Sequence, residues 1–532
     1  MDFSTSFLGI VALLALLILH TLFKSLGHYP KTSTKKKSNN LTIPEPLGSL
    51  PLVGHLHLLG GQEPVARILA TMADKYGPIY SLKVGQQRFL VVSSWELAKE
   101  CFTTKDTIFA NRPNIAIGKH VGYDSAAFAL APYGQYWREI RKIATLHLLS
   151  SHRVQLLSHV RAAELHSFVK ELYQISMEKV SGAVHLSELL EKFTFNLNLR
   201  LIAGKRLSSN TWRAGSEDTD AWRFKKAIEE ALYLSGVFVW SDAIPWLEWL
   251  GVDGHVRSMK RVWKELDLVL VKWLEEHRRA RSECDSSRDF TGEKDLMDMM
   301  LASLDEDHAI LSRHSRDTAI KATALILTLT GAESTAITLT WGISLLLNNP
   351  TILKAAQEEL DLHVGRNRWV EEYDITNLKY LQAILKEIFR LYPPGPITGL
   401  REATQDCHVA GFLVPKGTRL IVNIWKLHRD PRIWSDPLEF RPERFMTTHS
   451  DLGFWGENFE YIPFSAGRRG CPGISLGLAV VQFVLARLVQ GFDMKTKDGL
   501  RVDMREGLGI ALPKLTELEV VMAPRLPLEL YK

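Results

Sequence analysis

The sequence predicts a mainly α-helical protein, made of one large domain preceded by a single N-terminal membrane-spanning helix. The long middle of the 532-residue chain repeats apolar residues with a helical period. No Pro/Gly/Ser-rich linker or internal repeat divides the chain after its N-terminus. Hydrophobic residues make up 46% and charged residues 23%, as in an ordinary globular protein, and a net charge of +5 is too small to indicate nucleic-acid binding.

The N-terminal segment has the composition of a membrane anchor. Phe7 to Phe23 is apolar except for His20 and Thr21, and lysines follow it. This length is near the lower limit for crossing a bilayer of about 30 Å, and the lysines place the following domain in the cytoplasm. The alternative is a cleavable signal peptide, which would carry its charge before the apolar stretch. The four cysteines lack disulfide or metal spacing, which fits a reducing, cytosol-facing compartment.

A basic and proline-rich connector follows the anchor. Ile43 to Gly54 alternates proline and glycine with apolar residues, so it is not expected to be helical. It would fix the angle between anchor and domain, although an ordinary linker would have the same composition. We therefore predict an anchor over residues 1–26, a tether and hinge over residues 27–54, and the large domain over residues 55–532.

A single cysteine lies at a predicted helix start. Cys471 ends the run Phe464-Ser465-Ala466-Gly467-Arg468-Arg469-Gly470-Cys471 and is followed by Pro472 and Gly473, before an amphipathic helical run. The glycines allow a tight turn around the sulfur, Pro472 suits the first helical position, and the helix N-terminus favours a thiolate. A lone thiolate in an apolar loop suits an axial ligand of haem iron. The alternative is a buried structural cysteine.

A polar segment interrupts the most apolar predicted helix, Thr318 to Leu347. This segment, Thr330 to Thr335, contains Glu333 followed by the hydroxyls of Ser334 and Thr335. Buried carboxyl groups are rare unless partnered. Hydroxyls that bond back to the main chain bend helices, and such an opening can hold water. The segment therefore favours a proton relay, in which Glu333 supplies protons and Ser334 positions them.

Two further pairs of residues lie at helical spacing. Glu387 and Arg390 are three residues apart in a predicted helix from Thr376 to Tyr392, and their apolar neighbours favour burial. Trp137 and Arg141 are four residues apart, which aligns an indole N–H and a guanidinium on one face. Such a face can neutralise the two carboxylates of a haem.

The run from Phe464 to Gly473 resembles the cysteine signature of the cytochrome P-450 superfamily, and the resemblance extends from about Pro44 to the C-terminus. It implies a mainly α fold with small β-sheets, haem b bound through Cys471, and an oxygen-activation segment at Thr330 to Thr335. That segment departs from the family pattern twice, because Thr330 replaces a small apolar residue and Ser334 replaces threonine. The resemblance adds further site residues: Arg444 joins Glu387 and Arg390 in a structural charge network, Arg401 and Arg469 bind the haem carboxylates, and Phe464 lines the haem.

The resemblance implies an NADPH- and O2-dependent monooxygenase that acts on a lipophilic substrate. The chain has no recognisable flavin, nicotinamide, P-loop or His-Glu-x-x-His zinc motif. Its electrons are therefore expected from a partner NADPH-haemoprotein reductase that meets basic residues such as Arg138, Lys142 and Arg468, which are equally consistent with ordinary solvated charge. We expect a single-pass protein of the endoplasmic reticulum membrane whose haem-thiolate catalytic domain faces the cytosol. The alternatives are a haem-thiolate isomerase or dehydratase that needs no reductase, and a haem carrier or sensor.

Further motifs resemble the plant cytochrome P-450 family numbered 82, among them Ala73 to Ile79 and Arg390 to Pro396. This resemblance implies oxidation of a specialised metabolite such as a terpenoid, an alkaloid or a phenolic. By family position, the substrate pocket draws on residues 114–128, 324–333, 397–400 and 507–512. These residues are mostly apolar, which favours a hydrophobic substrate. The tryptophan-rich stretch from Val237 to Leu250 would dip into the membrane or pack between helices.

Overall fold

The computed structural model describes residues 42–178, 183–207, 220–244, 247–248, 253–286, 294–304, 313–497 and 499–532. The predicted anchor, Phe7 to Phe23, lies outside these residues. As predicted, most of the described chain is helical. The helices of eight or more residues are α1 (Val65–Tyr76), α2 (Trp95–Phe102), α3 (Gln135–Ala144), α4 (Ser158–Glu178), α5 (Leu186–Ala203), α6 (Asp220–Gly236), α7 (Gly254–Ser286), α8 (Leu296–Ser303), α9 (Arg316–Asn348), α10 (Pro350–His363), α11 (Lys379–Leu391) and α12 (Ile474–Gly491).

Shorter helical turns connect these helices. They are the α-helical turns Leu56–Leu59, Asp106–Phe109, Ala116–His120, Ser151–Leu156, Trp240–Ala243 and Ile424–Leu427, the π-helical turn Thr145–Leu149, and the 3-10 turns Glu372–Asn377, Pro442–Phe445 and Leu528–Tyr531. The run predicted as one helix from Thr376 is a 3-10 turn followed by α11, which begins at Lys379.

The strands form three small sheets beside the helices. The strands are β1 (Ile79–Val84), β2 (Gln87–Val92), β3 (Ala183–His185), β4 (Arg401–Glu402), β5 (Cys407–Val409), β6 (Phe412–Val414), β7 (Arg419–Val422), β8 (Phe492–Lys495) and β9 (Glu519–Pro524). Their orders are β1-β2-β7-β4, β3-β9-β8 and β5-β6. Only β2 and β7 pair in parallel, with Phe89 opposite Arg419, and the other described strand pairs are antiparallel.

The proline-rich stretch from Ile43 to Gly54 contains no helix, as its composition predicts. Its backbone instead meets β1, where Gly54 forms a bridge with Val84. Gly54 has φ of +63°, and a Cβ there would lie 2.1 Å from the Lys83 carbonyl oxygen. A side chain at this position would therefore clash with the sheet, which explains why glycine occupies the end of the connector.

Helix α9 runs through the core of the domain. Its N-terminus is capped by Ser315, whose side chain accepts a hydrogen bond from the Thr318 N–H at 3.2 Å, and Pro350 begins the next helix directly after Asn349. Helices α5, α7, α11 and α12 pack against it. Among the described residues, α9 and α12 are long and apolar enough to cross a membrane, but 67% of the most apolar stretch of each is buried inside the protein.

Candidate active site

The loop before α12 is folded tightly around Cys471. The Cys471 N–H donates to the Phe464 carbonyl at 2.9 Å, and the Gly470 N–H donates to the Gly467 carbonyl at 2.9 Å. Gly467 has φ of +69°, and a Cβ there would lie 2.5 Å from Oδ1 of Asp106. Glycine is therefore required at this position by conformation and by space.

The Cys471 side chain opens onto an internal cavity, and its Sγ accepts a hydrogen bond from the Gly473 N–H at 3.3 Å. One sequence expectation is wrong here. Helix α12 begins at Ile474 with Gly473 as its N-cap, so Pro472 precedes the helix and does not occupy its first position. Burial raises the pKa of the Cys471 thiol, while the Gly473 N–H and Arg141 lower it. The N–H at the helix start therefore favours the thiolate, whereas burial opposes it.

This cavity, which we call the Cys471 cavity, has a volume of about 270 Å³. Helices α3, α5 and α9, the cysteine loop and the first half of α12 line it. The predicted site residues that line it are Phe464, Arg469, Cys471, Trp137, Arg141, Ser334 and Thr335. The fold thus brings together residues from three separate sequence motifs.

Arginines dominate the charge of the Cys471 cavity. Arg112, Arg141 and Arg469 line it, and no Asp or Glu among the described residues does. Burial, together with repulsion from Arg112, Arg401 and Arg141, lowers the pKa of Arg469 to about 8. The Arg469 guanidinium also lies 4.4 Å from the ring centroid of Trp137. Buried cations without counter-charges are costly, so this cluster calls for an anionic ligand.

The residues of the cavity fit haem b. A haem brings two carboxylates that the three arginines would neutralise, an apolar ring, and an iron that takes a thiolate axial ligand. The backbone already fixes two of the guanidiniums, because Arg141 donates to the Gly470 carbonyl at 2.6 Å and Arg469 donates to the Ala110 carbonyl at 2.6 Å. Arg469 also donates to the Phe128 carbonyl at 3.3 Å and to the Ala131 carbonyl at 2.6 Å, which leaves one N–H on each terminal nitrogen for a ligand.

Arg401 and Arg112 differ from the sequence expectation. Arg401 does not line the Cys471 cavity, because its guanidinium donates to the Ala466 carbonyl at 2.8 Å and to Ser465 Oγ at 3.2 Å. Arg401 therefore binds the cysteine loop at Ser465 and Ala466 and stabilises its conformation. Arg112 lines the cavity but was not predicted, because it lies in a loop with no helical spacing to the other arginines.

The three hydroxyls of α9 that line the Cys471 cavity are bonded to their own helix. The Ser334 hydroxyl donates to the Thr330 carbonyl at 2.7 Å, and the Thr335 hydroxyl donates to the Gly331 carbonyl at 2.8 Å. The hydroxyl of Thr330 donates to the Ile326 carbonyl at 2.7 Å. The hydroxyl oxygens of Thr330, Ser334 and Thr335 retain lone pairs that can accept from water in the cavity.

Glu333 lies on a different side of α9 from Ser334. It lines a second cavity of about 600 Å³, together with Glu191 of α5 and Lys225 and Glu229 of α6, and we call this the carboxylate cavity. The sequence places Glu333 and Ser334 in one relay, but the structure brings only the hydroxyl to the Cys471 cavity. The reason is geometric, because neighbouring residues of an α-helix point about 100° apart. Burial and, to a smaller extent, the charge of Glu191 raise the pKa of Glu333 to about 7.

The two cavities share a wall at Thr194 of α5, which lines both. Its neighbour Asn198 packs tightly against α9, since a Cβ on Gly331 would lie 2.6 Å from Asn198 Oδ1. The amide of Asn198 is held by the Thr194 carbonyl, to which its Nδ2 donates at 2.8 Å. Sequence periodicity offered no signal for these two residues, because contact between α5 and α9 depends on the tertiary fold.

Glu387, Arg390 and Arg444 meet in the fully buried interior. The Glu387 carboxylate accepts two hydrogen bonds from Arg390, at 2.7 and 2.8 Å, and one from Arg444 at 3.0 Å. Arg390 also donates to the main-chain carbonyls of His428, Pro437 and Glu439. The network therefore joins α11 to the irregular chain that precedes the cysteine loop.

The segments expected to contact substrate are divided between the two cavities. Phe128 lines the Cys471 cavity, whereas Leu329, Ala332 and residues 508–510 line the carboxylate cavity. Residues 397–400 line neither cavity. Part of the tryptophan-rich stretch from Val237 to Leu250 lies outside the described residues, and Trp240 within it is 44% exposed.

Comparison with known proteins agrees with this geometry. The family described as Cytochrome P450 matches residues 44–519. Dimethylnonatriene synthase of Arabidopsis thaliana is 52% identical over 501 residues, 94% of each chain. Xanthotoxin 5-hydroxylase CYP82C4 of Arabidopsis thaliana is 47% identical and covers 93% of this chain and 95% of its own. Strychnine-10-hydroxylase of Strychnos nux-vomica is 44% identical and covers 99% of this chain and 98% of its own.

A solved structure has the same fold. A zebra fish cytochrome P450 determined with abiraterone superposes with a TM-score of 0.70, at 25% sequence identity, and covers 87% of this chain and 100% of its own. The sequence resemblance to the superfamily and to its plant family numbered 82 is thereby confirmed. The chain belongs to the cytochrome P450 family and is a haem-thiolate monooxygenase.

Proposed function

We propose that this protein is an NADPH- and O2-dependent monooxygenase of a lipophilic plant specialised metabolite. The reaction inserts one oxygen atom of O2 into the substrate and reduces the other to water, which consumes two electrons and two protons. The observation that carries this proposal is that Cys471 and the hydroxyls of Ser334 and Thr335 line the same cavity. A thiolate-bound haem iron supplies oxygen activation when it is present.

The residues of the chain have separable tasks in this reaction. Cys471 would hold the iron, and Arg112, Arg141 and Arg469 would neutralise and orient the haem carboxylates. Ser334 would accept a hydrogen bond from a water molecule and so place a proton donor in the cavity.

The electrons would come from an NADPH-haemoprotein reductase. Arg138, Lys142 and Arg468 are exposed near the cysteine loop, although Arg468 is already paired with Asp106 at 2.7 Å. Complementary charge on a partner would favour association at this face. With the predicted anchor, the enzyme would be a single-pass protein of the endoplasmic reticulum membrane whose catalytic domain faces the cytosol.

The substrate is proposed to be a terpenoid, an alkaloid or a phenolic. Relatives are named for xanthotoxin and strychnine, and the relative at 52% identity is named for an acyclic hydrocarbon. We place terpenoids, xanthotoxin and strychnine among the first compounds to test.

The test is a reconstitution of the anchored protein with reductase and labelled O2. An organic product that carries one labelled oxygen atom, formed while NADPH is consumed, would support the proposal. Conversion that continues without NADPH and O2 would overturn it and favour a haem-thiolate isomerase or dehydratase. A Lys354→Ala variant serves as a matched control, because Lys354 lies on the exposed face of α10.

A further inference from the structure

A buried carboxylate, Asp106, packs against the cysteine loop. It begins the helical turn Asp106–Phe109, and its side chain is only 3% exposed. Its Oδ2 accepts a hydrogen bond from the Arg468 main-chain N–H at 3.1 Å and another from the Arg468 guanidinium at 2.7 Å. The Arg401 guanidinium lies 3.5 Å from its Oδ1. One carboxylate therefore binds a main-chain donor of the cysteine loop and two arginine side chains.

The part of the cysteine loop that Asp106 contacts has an unfavourable backbone conformation. Ser465 has φ of +59°, a region in which residues other than glycine are uncommon. Arg401 binds the start of this turn, because it donates to Ser465 Oγ and to the Ala466 carbonyl. Asp106 binds the end of the turn at the Arg468 N–H, three residues before the thiol. Since Asp106 also pairs with Arg401, the two side chains fix the turn at both ends.

The buried contacts of Asp106 matter more than its contact with the exposed part of Arg468. The Arg468 side chain is 46% exposed and also donates to the Tyr133 hydroxyl at 3.1 Å, so solvent partly screens its ion pair. Arg401 is 1% exposed, and among the described residues Asp106 is the only carboxylate paired with it. Loss of Asp106 would leave this cation buried without a counter-charge and the Arg468 N–H without its acceptor. Both losses act on the cysteine loop.

We propose that Asp106 is a positioning residue for Cys471, and that it holds the turn from Ser465 to Arg468 in the conformation that directs the thiol into the Cys471 cavity. Asp106 acts through the Arg468 N–H and through Arg401, and it does not itself line that cavity. The inference rests on the proposed function in one respect, which is the role of Cys471 as the axial ligand. Neither periodicity nor motif spacing indicates Asp106, because it lies 362 residues before Arg468 in the chain.

Hydrogen–deuterium exchange of the haem-loaded, full-length protein tests the inference without substrate. In Asp106→Ala the Arg468 amide should exchange about tenfold faster or more, because it loses a charged acceptor. Asp106→Asn keeps an oxygen that can accept from this N–H but has no charge for Arg401, so its exchange rate should be intermediate. Asp374→Ala is the matched control, because the Asp374 carboxylate also accepts from a guanidinium, that of Arg368 at 2.7 and 2.8 Å, and from a main-chain N–H at 2.8 Å. Asp374 lies in the 3-10 turn Glu372–Asn377, outside the cysteine loop, so this variant should lose stability without faster exchange at Arg468.

The carbon-monoxide difference spectrum, scaled to bound haem, provides the second readout. Asp106→Ala should lose intensity in the red-shifted band of a haem-thiolate, Asp106→Asn should lose less, and Asp374→Ala should keep the full band per haem. Where Asp106→Ala yields no haem-loaded protein, Asp106→Asn decides the question by the same two measurements. Wild-type exchange at Arg468 or a full band per haem in the deciding variant would overturn the inference, as would an equal loss in Asp374→Ala. If Cys471 is not the axial ligand, the wild type itself will lack the red-shifted band, while the exchange result still reports on Asp106.

Discussion

Removal of the Arg390 side chain should prevent the domain from reaching a stable, haem-loaded state. Arg390 and Glu387 are both 0% exposed, and Arg390 supplies two of the hydrogen bonds to the carboxylate. In Arg390→Ala, Glu387 keeps only Arg444 and the Arg441 N–H as partners. Breaking a buried ion pair costs about 3–5 kcal/mol, and three main-chain carbonyls also lose a donor. This loss is a large part of a total stability of about 5–15 kcal/mol.

The assay is haem content per protein together with the free energy of unfolding in urea. Arg390→Lys keeps the charge but cannot bind the carboxylate with two parallel bonds, so it should fall between the wild type and Arg390→Ala. Lys354→Ala is the control, because its ion pair with Glu358 is 3.8 Å long and its side chain is 77% exposed, which limits the loss to about 1 kcal/mol. Normal haem content and less than about 1 kcal/mol of destabilisation in Arg390→Ala would refute the reasoning.

Three other predictions concern Ser334, Gly331 and His277. Ser334→Ala should raise peroxide release per NADPH consumed and reduce product by about tenfold or more. Ser334→Thr keeps the hydroxyl and should retain the coupling of NADPH consumption to product formation. Both effects are checked by measuring NADPH consumption, peroxide and product in the same reaction. Gly331→Ala should destabilise the domain by about 1–3 kcal/mol in urea, because its Cβ would approach Asn198 Oδ1 to 2.6 Å, and Asn198→Ala should relieve the loss. Burial lowers the pKa of His277, but Asp295 raises it to a net value of about 9, so this pair stabilises the fold below the usual histidine pKa. About 2 kcal/mol should be lost as pH rises through 9, and His277→Gln should remove that pH dependence in urea unfolding.

The sequence predicts the elements and motifs better than their mutual orientation. The apolar period of α9 and the spacing of Glu387 and Arg390 are local properties, and both agree with the observed helices and burial. The approach of Arg112 to Arg469 depends on loops that are far apart in the chain, so no periodic pattern reveals it. The same is true of Glu191 and Glu333, which line one cavity only because α5 packs on α9.

The chemistry of Cys471 shows a similar limit. The signature around Cys471 identifies the residue, and its tight turns follow from the glycines. The helix start suggests a lowered thiol pKa, yet burial has the larger effect and raises it. The local sequence indicates where the N-terminal dipole of α12 lies, whereas the surrounding helices determine how deeply the Cys471 thiol is buried.

The most direct test of the central claim is the carbon-monoxide difference spectrum of the reduced protein. If Cys471 is the axial thiolate, the wild type should show the red-shifted band of a haem-thiolate. Cys471→His should lose that band and monooxygenation even where some haem is retained, because neutral imidazole does not supply the electron density of a thiolate. A red-shifted band of full intensity in Cys471→His, with activity preserved, would contradict the account.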